Sequence, residues 1–255
     1  MVISIWDGLS VLSIILLVVT ALSAGLAKGG FSGFGMLAAV LMPAVFTDVK
    51  ESTGILLPML ILADIVAVCI YRYHANFSLV WKILPPALIG IVIGWLIMPH
   101  VNGDAFARLF AWLILAMLAL VCLRKFFPFA IEAAANHPKF AWLLGTLAGF
   151  TSMLSNTGGP VVGIYLIARR VEKMEIVGIS AWFFFIVNLA KAPFSIQLGI
   201  FTWQGTLLAL AHVPVIVAGV FLARWLLRFI PQKIFEWLII SFALIGALRL
   251  LVTSG

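Results

Sequence analysis

Charged residues are scarce in this chain, and their scarcity indicates that most of it lies in a lipid bilayer. They make up 10% of the 255 residues, whereas hydrophobic residues make up 64%. Apolar runs of about 17 to 22 residues recur with few interruptions, and each is long enough to cross a bilayer as a helix. We therefore predict an all-α polytopic membrane protein, which excludes a soluble globular fold.

Cysteine and acidic residues are also rare. The two cysteines, Cys69 and Cys122, both lie inside apolar runs, so a disulfide, a metal site or a redox function is not expected. Asp64 is the only carboxylate near the middle of a long apolar run, which disfavours a cation transporter. The chain has no G-x-x-x-x-G-K-[ST] sequence for binding nucleotide phosphates. We predict no cofactor and no energy supply from nucleotide hydrolysis within this chain.

The net charge of +7 does not indicate a nucleic-acid partner. The basic residues lie mainly in short connectors between apolar runs, where such charges set membrane orientation and contact lipid head groups. If successive segments, short ones included, place their connectors on alternate sides of the membrane, the connectors on one side contain eleven lysines and arginines. Those on the other side contain three, Lys50, Arg108 and Arg249. This bias predicts that both termini face the periplasm.

The chain contains an internal repeat. Shifted by 124 residues, Gly25, Glu51, Gly54 and Phe77 fall on Gly149, Glu175, Gly178 and Phe201. With a shift of one more residue, the match between the two halves continues to their ends. We predict a single transmembrane domain, 1–255, made of repeat 1 (about 8–124), a linker (125–138) and repeat 2 (about 139–251). Equivalent loops carry opposite charge biases, as expected for repeats of inverted topology.

Each repeat is predicted to contain one short segment and several long ones. Residues 8–27 follow no basic start, so we expect them to remain as the first membrane segment. The second segments, 34–47 and 158–168, are 14 and 11 residues long, too short to cross a bilayer core of about 30 Å. We therefore predict a broken or re-entrant Gly-rich segment and three long helices per repeat, about 8–10 segments in all. The long segments after the two breaks are 54–73, 83–99, 108–124, 176–196, 203–222 and 233–251.

The two breaks are the predicted binding site. Glycine lets a ligand approach the main chain, and the N-terminus of a half-helix attracts a small anion. The alternative is that these glycines only allow close helix packing. Paired polar breaks at matching positions favour binding. The predicted substrate-binding residues at the breaks are Lys28, Gly29, Gly30, Ser32, Gly33, Ser155, Asn156, Thr157, Gly158 and Gly159.

Four further polar residues lie within long segments. Asp64 aligns with Asn188, and Lys191 follows Asn188 by one helical turn. We assign Asn188 and Lys191 to substrate binding, and Asp64 and His212 to proton or ion coupling. Two alternatives remain: Asp64 forms a structural pair with a lysine, and His212 is a helix-packing residue bonded to a backbone carbonyl.

These motifs resemble the TauE/SafE family of sulfite and organosulfonate exporters. The resemblance is specific at Ser155-Asn156-Thr157-Gly158-Gly159-Pro160, followed by a short apolar helix ending at Arg169-Arg170. It is looser at Lys28-Gly29-Gly30-Phe31-Ser32-Gly33, which adds a cation, and it extends from about residue 8 to 251. Membership implies a multi-pass protein of a bacterial or archaeal inner membrane that moves sulfite, sulfoacetate or related sulfonates, usually outward.

The sequence therefore predicts a secondary transporter of small sulfur-containing anions, with the lipid bilayer and the substrate as its partners and no enzymatic activity. Two alternatives stay open, an intramembrane enzyme like the lipid-pyrophosphate phosphatases and an anion channel. The enzyme would need several mid-membrane carboxylates and a deep arginine, which the apolar runs do not supply. Association between copies of the chain also stays open.

Overall fold

The computed structural model describes residues 10–46, 48–126 and 137–229, with the single positions 244 and 248. Every regular element in these ranges is helical, and short 3₁₀ turns extend α2, α3 and α4. The helices are α1 (Val11–Lys28), α2 (Phe34–Leu41), α3 (Val49–Tyr71), α4 (Phe77–Ile97), α5 (Gly103–Phe126), α6 (Pro138–Ser155), α7 (Gly159–Ala168), α8 (Lys173–Gln197), α9 (Trp203–Ala211) and α10 (Val213–Leu226).

Polar side chains fix where several of these helices begin. The Ser10 hydroxyl accepts a hydrogen bond from the backbone N–H of Ser13 at the start of α1. The Asp48 carboxylate does the same for two N–H groups of α3, and Thr202 caps α9. Such caps satisfy N–H groups that have no partner inside the helix. They place the polar connectors at the ends of the apolar runs.

Four helices are long and apolar enough to cross a membrane, counting the 3₁₀ turns that extend two of them: Val11–Lys28, Val49–His74, Phe77–His100 and Lys173–Gln197. The pair α9 and α10 passes the same test together, although the two are bent by 57°. The prediction of an all-α polytopic membrane protein is confirmed. The two predicted short segments are short helices of 8 and 10 residues, α2 and α7.

One predicted span is broken. The sequence predicts a continuous segment over 203–222, but α9 ends at Ala211 and α10 begins at Val213. Pro214 explains the break, because it lacks an N–H and its ring collides with the carbonyl of residue 210 in a continuous helix. The predicted segment 233–251 and most of the linker 125–138 lie outside the described residues.

The helices pack in reciprocal pairs, as expected if a two-fold axis relates the two repeats. Helix α1 packs against α10, and α6, which is the equivalent of α1, packs against α4. A Cβ atom on Gly25 would lie 2.3 Å from the Ile216 carbonyl oxygen, and one on the equivalent Gly149 would lie 1.9 Å from that of Ala87. At these two positions glycine is therefore needed for helix contact, and here the packing alternative is correct.

Helices α3 and α8 are equivalent elements that cross in opposite directions. The start of α3, at Gly54, contacts Ile200 beyond the end of α8, while the start of α8, at Gly178, contacts His74 beyond the end of α3. An axis that exchanges two antiparallel helices is perpendicular to both of them. Because these helices cross the membrane, the axis lies in its plane, which is the inverted arrangement. The exact repeat boundaries stay a prediction.

Candidate functional site

A cavity of about 320 Å³ lies between the two helix breaks and the inner face of α8. Its lining contains six pairs of residues that the internal repeat makes equivalent. The cavity therefore lies across the pseudo-two-fold axis, where the two repeats meet. The pairs are Lys28 with Ser152, Ser32 with Asn156, Gly33 with Thr157, Gly35 with Gly159, Met36 with Pro160 and Leu60 with Phe184.

Lys28 supplies a positive charge to this cavity. It is the last residue of α1, and 10% of its side chain is exposed. Its Nζ atom lies 2.9 Å from Oδ1 of Asp64 and 4.3 Å from the centre of the Phe184 ring. The aromatic face adds a cation–π attraction. The ammonium is thus held at the cavity wall by a carboxylate on one helix and a ring on another.

Asp64 lies behind Lys28 and is fully buried. Its second carboxylate oxygen, Oδ2, accepts a hydrogen bond from Nδ2 of Asn188. These two residues are equivalent in the repeat, so the bond joins α3 and α8 at their crossing point. Asn188 lines the cavity, whereas Asp64 does not. A buried carboxylate is stable only when it is paired and hydrogen-bonded, and Lys28 and Asn188 meet both requirements.

Lys191 has a different role from Lys28. Its Nζ atom lies 2.7 Å from Oδ1 of Asn156, 2.9 Å from the Ser152 carbonyl oxygen and 3.1 Å from the Ser152 hydroxyl. An ammonium has three N–H donors, and these three acceptors use them all. Lys191 is 2% exposed and does not line the cavity. The predicted direct contact between Lys191 and substrate therefore has no support in this geometry.

The break after α6 has a specific backbone shape. Asn156 has φ +57°, in the left-handed region, where asparagine is one of the few tolerated residues. Its side chain bridges the repeats, since Oδ1 accepts from Lys191 and Nδ2 donates to the Thr53 carbonyl oxygen at 3.0 Å. The hydroxyls of Ser155 and Thr157 are 2.6 Å apart. Lys191 and Asn156 thus hold the break in one conformation.

The two half-helices differ in what their N-termini offer. At α2 the N–H groups of Gly35 and Met36 donate to the carbonyls of Ser32 and Gly33, so they are less available to an anion. At α7 the N-cap residue is Gly158, which like Gly33 of α2 has no side chain to accept a bond, and Pro160 follows in the first turn. The positive end of α7 is the better receptor for an anion.

The structure brings eight of the twelve predicted substrate-binding residues to the cavity: Lys28, Gly30, Ser32, Gly33, Asn156, Thr157, Gly159 and Asn188. The other four, Gly29, Ser155, Gly158 and Lys191, do not line it. A Cβ on Gly29 would lie 2.3 Å from that of Ala223, and one on Gly158 would lie 2.6 Å from the Ala148 carbonyl oxygen. These two glycines serve helix packing.

Some cavity residues are missed by reasoning from the sequence. Gly163 and Ser180 line the cavity, and Gly163 follows the predicted Gly159 by one helical turn. Phe184 precedes Asn188 by one turn on α8, so a helical wheel through Asn188 would have found it. Its contact with Lys28 depends on tertiary packing, which the sequence does not display.

His212 lies at the break between α9 and α10, away from the cavity lining. Its Nδ1 atom is 2.8 Å from the Leu208 carbonyl oxygen, and the side chain is buried. That geometry matches the packing alternative. A coupling role for His212 stays a prediction. Within the described ranges, no three His, Cys, Asp or Glu side chains come together as metal ligands.

Comparison with protein families identifies the chain. The model of the sulfite exporter TauE/SafE family matches residues 17–250, nearly the whole chain. The chain belongs to the sulfite exporter TauE/SafE family. No curated protein and no solved structure shows a significant match to it. Membership in TauE/SafE makes it a multi-pass protein of a membrane transporter family, so the resemblance noted at the Ser155–Pro160 motif is confirmed.

Proposed function

We propose that this protein is a secondary transporter of small sulfur-containing anions such as sulfite or sulfoacetate, bound between the two helix breaks. One observation carries the proposal: Lys28 presents an ammonium group to a cavity on the axis between inverted repeats. Inverted-repeat transporters bind substrate at the repeat interface, often at half-helix N-termini. The start of α7 supplies such a terminus.

The charge of the site favours an anion. Among the described residues, Asp64 is the carboxylate at this depth, and both of its oxygens are occupied by Lys28 and Asn188. A cation would therefore meet an ammonium and no free carboxylate. The hydroxyls of Ser32 and Thr157 and the amide of Asn188 add hydrogen-bonding groups to the cavity lining. Sulfite and sulfonate oxygens are acceptors suited to these donors.

The cavity is asymmetric along the membrane normal, as expected for one state of an alternating-access cycle. It extends past Ile176 and Val177 to Lys173, an exposed residue at the start of α8. The equivalent residues of repeat 1, Ser52 and Thr53, do not line the cavity. The bond from Asn156 to the Thr53 carbonyl lies on this closed side. Exchange of the two repeat conformations would open that side and close the other.

The test of this function is a thermal-shift screen of the purified protein against sulfite, sulfoacetate, taurine, thiosulfate and sulfate. Binding to the folded state raises the melting temperature. Reconstituted vesicles then distinguish a carrier from a channel, since a carrier shows saturation and counterflow. Failure of every one of these anions to shift the melting temperature would reject the proposal. Hydrolysis of a lipid pyrophosphate would favour the enzyme alternative.

Gly159 provides a mutational prediction for the location of the site. A Cβ at this position would have only the Ser32 backbone and side chain near it, at 3.4 Å or more, and the residue lines the cavity. Gly159→Leu should therefore fill the cavity and abolish the anion-induced thermal shift while leaving folded protein. Gly103→Leu is the matched control, because Gly103 is exposed and nothing lies within 4 Å of its Cβ position. A normal shift in Gly159→Leu would place the site elsewhere.

The orientation of the chain is a second proposal, based on the basic connectors. We expect Ser10 to face the periplasm and Arg170 the cytoplasm of a bacterial or archaeal inner membrane. Single cysteines at these positions, in a background without Cys69 and Cys122, can be labelled on intact cells by an impermeant reagent. Ser10→Cys should react and Arg170→Cys should not. The reverse labelling pattern would invert the topology.

A further inference from the structure

The charges around the cavity do not cancel. At the depth of the site, the described residues contribute the ammonium groups of Lys28 and Lys191 and the carboxylate of Asp64. Their sum is one positive charge. A singly charged anion neutralises it, whereas a doubly charged anion leaves one negative charge in a water-poor region, where net charge is costly.

Asp64 is the group that can remove this excess negative charge, by taking up a proton. Its Oδ1 atom has the Lys28 ammonium as its partner, and that ammonium also lines the cavity. An anion that binds Lys28 therefore competes with Asp64 for the same cation. When Lys28 turns to the anion, Oδ1 loses its counter-ion and gains access to the cavity, from which water can deliver a proton.

We propose that the site takes up one proton, on the carboxylate of Asp64, when it binds a doubly charged anion, and none when it binds a singly charged anion. The inference rests on the proposed anion site. It adds that the loaded site has the same net charge with either class of anion, because the proton compensates for the second negative charge. Asp64 is then a coupling residue that contacts Lys28 rather than the substrate.

The surroundings of Asp64 limit the groups that could compete for this proton. Lys28 acts on it from α1, and Asn188 and Lys191 act on it from α8. In the described parts of α2, α5, α6, α9 and α10, which also pack near α3, no other charged group acts on Asp64. His212 does not line the cavity, and its Nδ1 is engaged by the Leu208 carbonyl.

The experiment measures proton uptake by titration calorimetry of the detergent-solubilised protein at pH 7, in two buffers of different ionisation enthalpy. Sulfoacetate is the divalent probe and methanesulfonate the monovalent probe, since neither changes its own charge near this pH. We expect uptake of about one proton with sulfoacetate and close to none with methanesulfonate. Between pH 7 and 8 the Kd for sulfoacetate should then rise by up to about tenfold, which means weaker binding at the higher pH.

Asp64→Asn should retain binding of both probes, because Lys28 remains, and should abolish proton uptake with sulfoacetate. Glu51→Gln, an exposed carboxylate removed from the same helix, is the matched control and should behave as the native protein. Sulfoacetate binding without proton uptake, or uptake that persists in Asp64→Asn, would overturn the inference and leave the proposed function intact. If neither probe binds, the inference is overturned, and the thermal-shift screen, which also includes sulfite, taurine, thiosulfate and sulfate, decides the proposed function separately. The comparison of the two probes on the native protein holds even if Asp64→Asn does not fold.

Discussion

Replacing Lys28 by glutamine is expected to weaken sulfoacetate binding by about 10- to 150-fold. A charge-assisted hydrogen bond is worth about 1.5–3 kcal/mol, and each 1.4 kcal/mol is a factor of ten in Kd. The single change also leaves Asp64 buried without a counter-ion, which destabilises a folded protein by about 3–5 kcal/mol. Affinity and stability must therefore be measured separately, by titration calorimetry and by thermal melting.

The double variant Lys28→Gln with Asp64→Asn separates the two effects. It removes both members of the ion pair, so the melting temperature should recover towards that of the native protein. Sulfoacetate binding should remain as weak as in Lys28→Gln, because the ammonium at the cavity wall is gone. Lys82→Gln, an exposed lysine on α4, is the control and should change neither property. A double variant that binds sulfoacetate as tightly as the native protein would show that Lys28 has only a structural role.

The polar pairing at the site was predicted only in part from the sequence. Alignment of the repeats placed Asp64 and Asn188 at one level, and the structure joins them by a hydrogen bond. The pairing alternative named a lysine as the partner of Asp64, and the structure shows that it is Lys28. Helical periodicity orders residues along one helix but does not say which neighbouring helix a side chain meets.

The fold was easier to predict from the sequence than the side-chain contacts. Apolar run lengths and the internal repeat predicted a polytopic helical protein with short second segments, because bilayer thickness directly constrains helix length. The break at His212 was missed, since hydropathy over 203–222 is insensitive to the missing N–H of Pro214. The roles of Gly29 and Gly158 were also missed. Close packing and ligand approach both require glycine, and only the neighbouring backbone distinguishes them.

The two lysines show how the repeats have diverged. The repeat equivalent of Lys28 is Ser152, and that of Lys191 is Ala67. Each repeat therefore supplies one ammonium, but from a different helix. In repeat 2 the Ser152 hydroxyl and carbonyl accept hydrogen bonds from Lys191. The position that holds a lysine in repeat 1 therefore holds a residue that binds a lysine in repeat 2. One ammonium stays at the cavity wall and the other is enclosed by protein.

This division predicts that Lys191→Met lowers stability more than affinity. Methionine has a similar length but no donor, so Asn156 Oδ1 and the Ser152 carbonyl oxygen lose the Lys191 ammonium as their donor, at a cost of about 1–3 kcal/mol for each acceptor left unsatisfied. We expect a clearly lower melting temperature. In the protein that remains folded, the Kd for sulfoacetate should change less than in Lys28→Gln.

Lys139→Met, which removes an exposed lysine from the first turn of α6, is the control for a general effect of losing positive charge. It should leave the melting temperature and the affinity unchanged. A native melting temperature in Lys191→Met, combined with a 10- to 150-fold loss of affinity, the range set by about 1.5–3 kcal/mol, would reverse the assignment. Lys191 would then be the substrate ligand that the sequence predicts. The bonds from its ammonium to Ser152 and Asn156 would then have to exchange for substrate oxygens during transport.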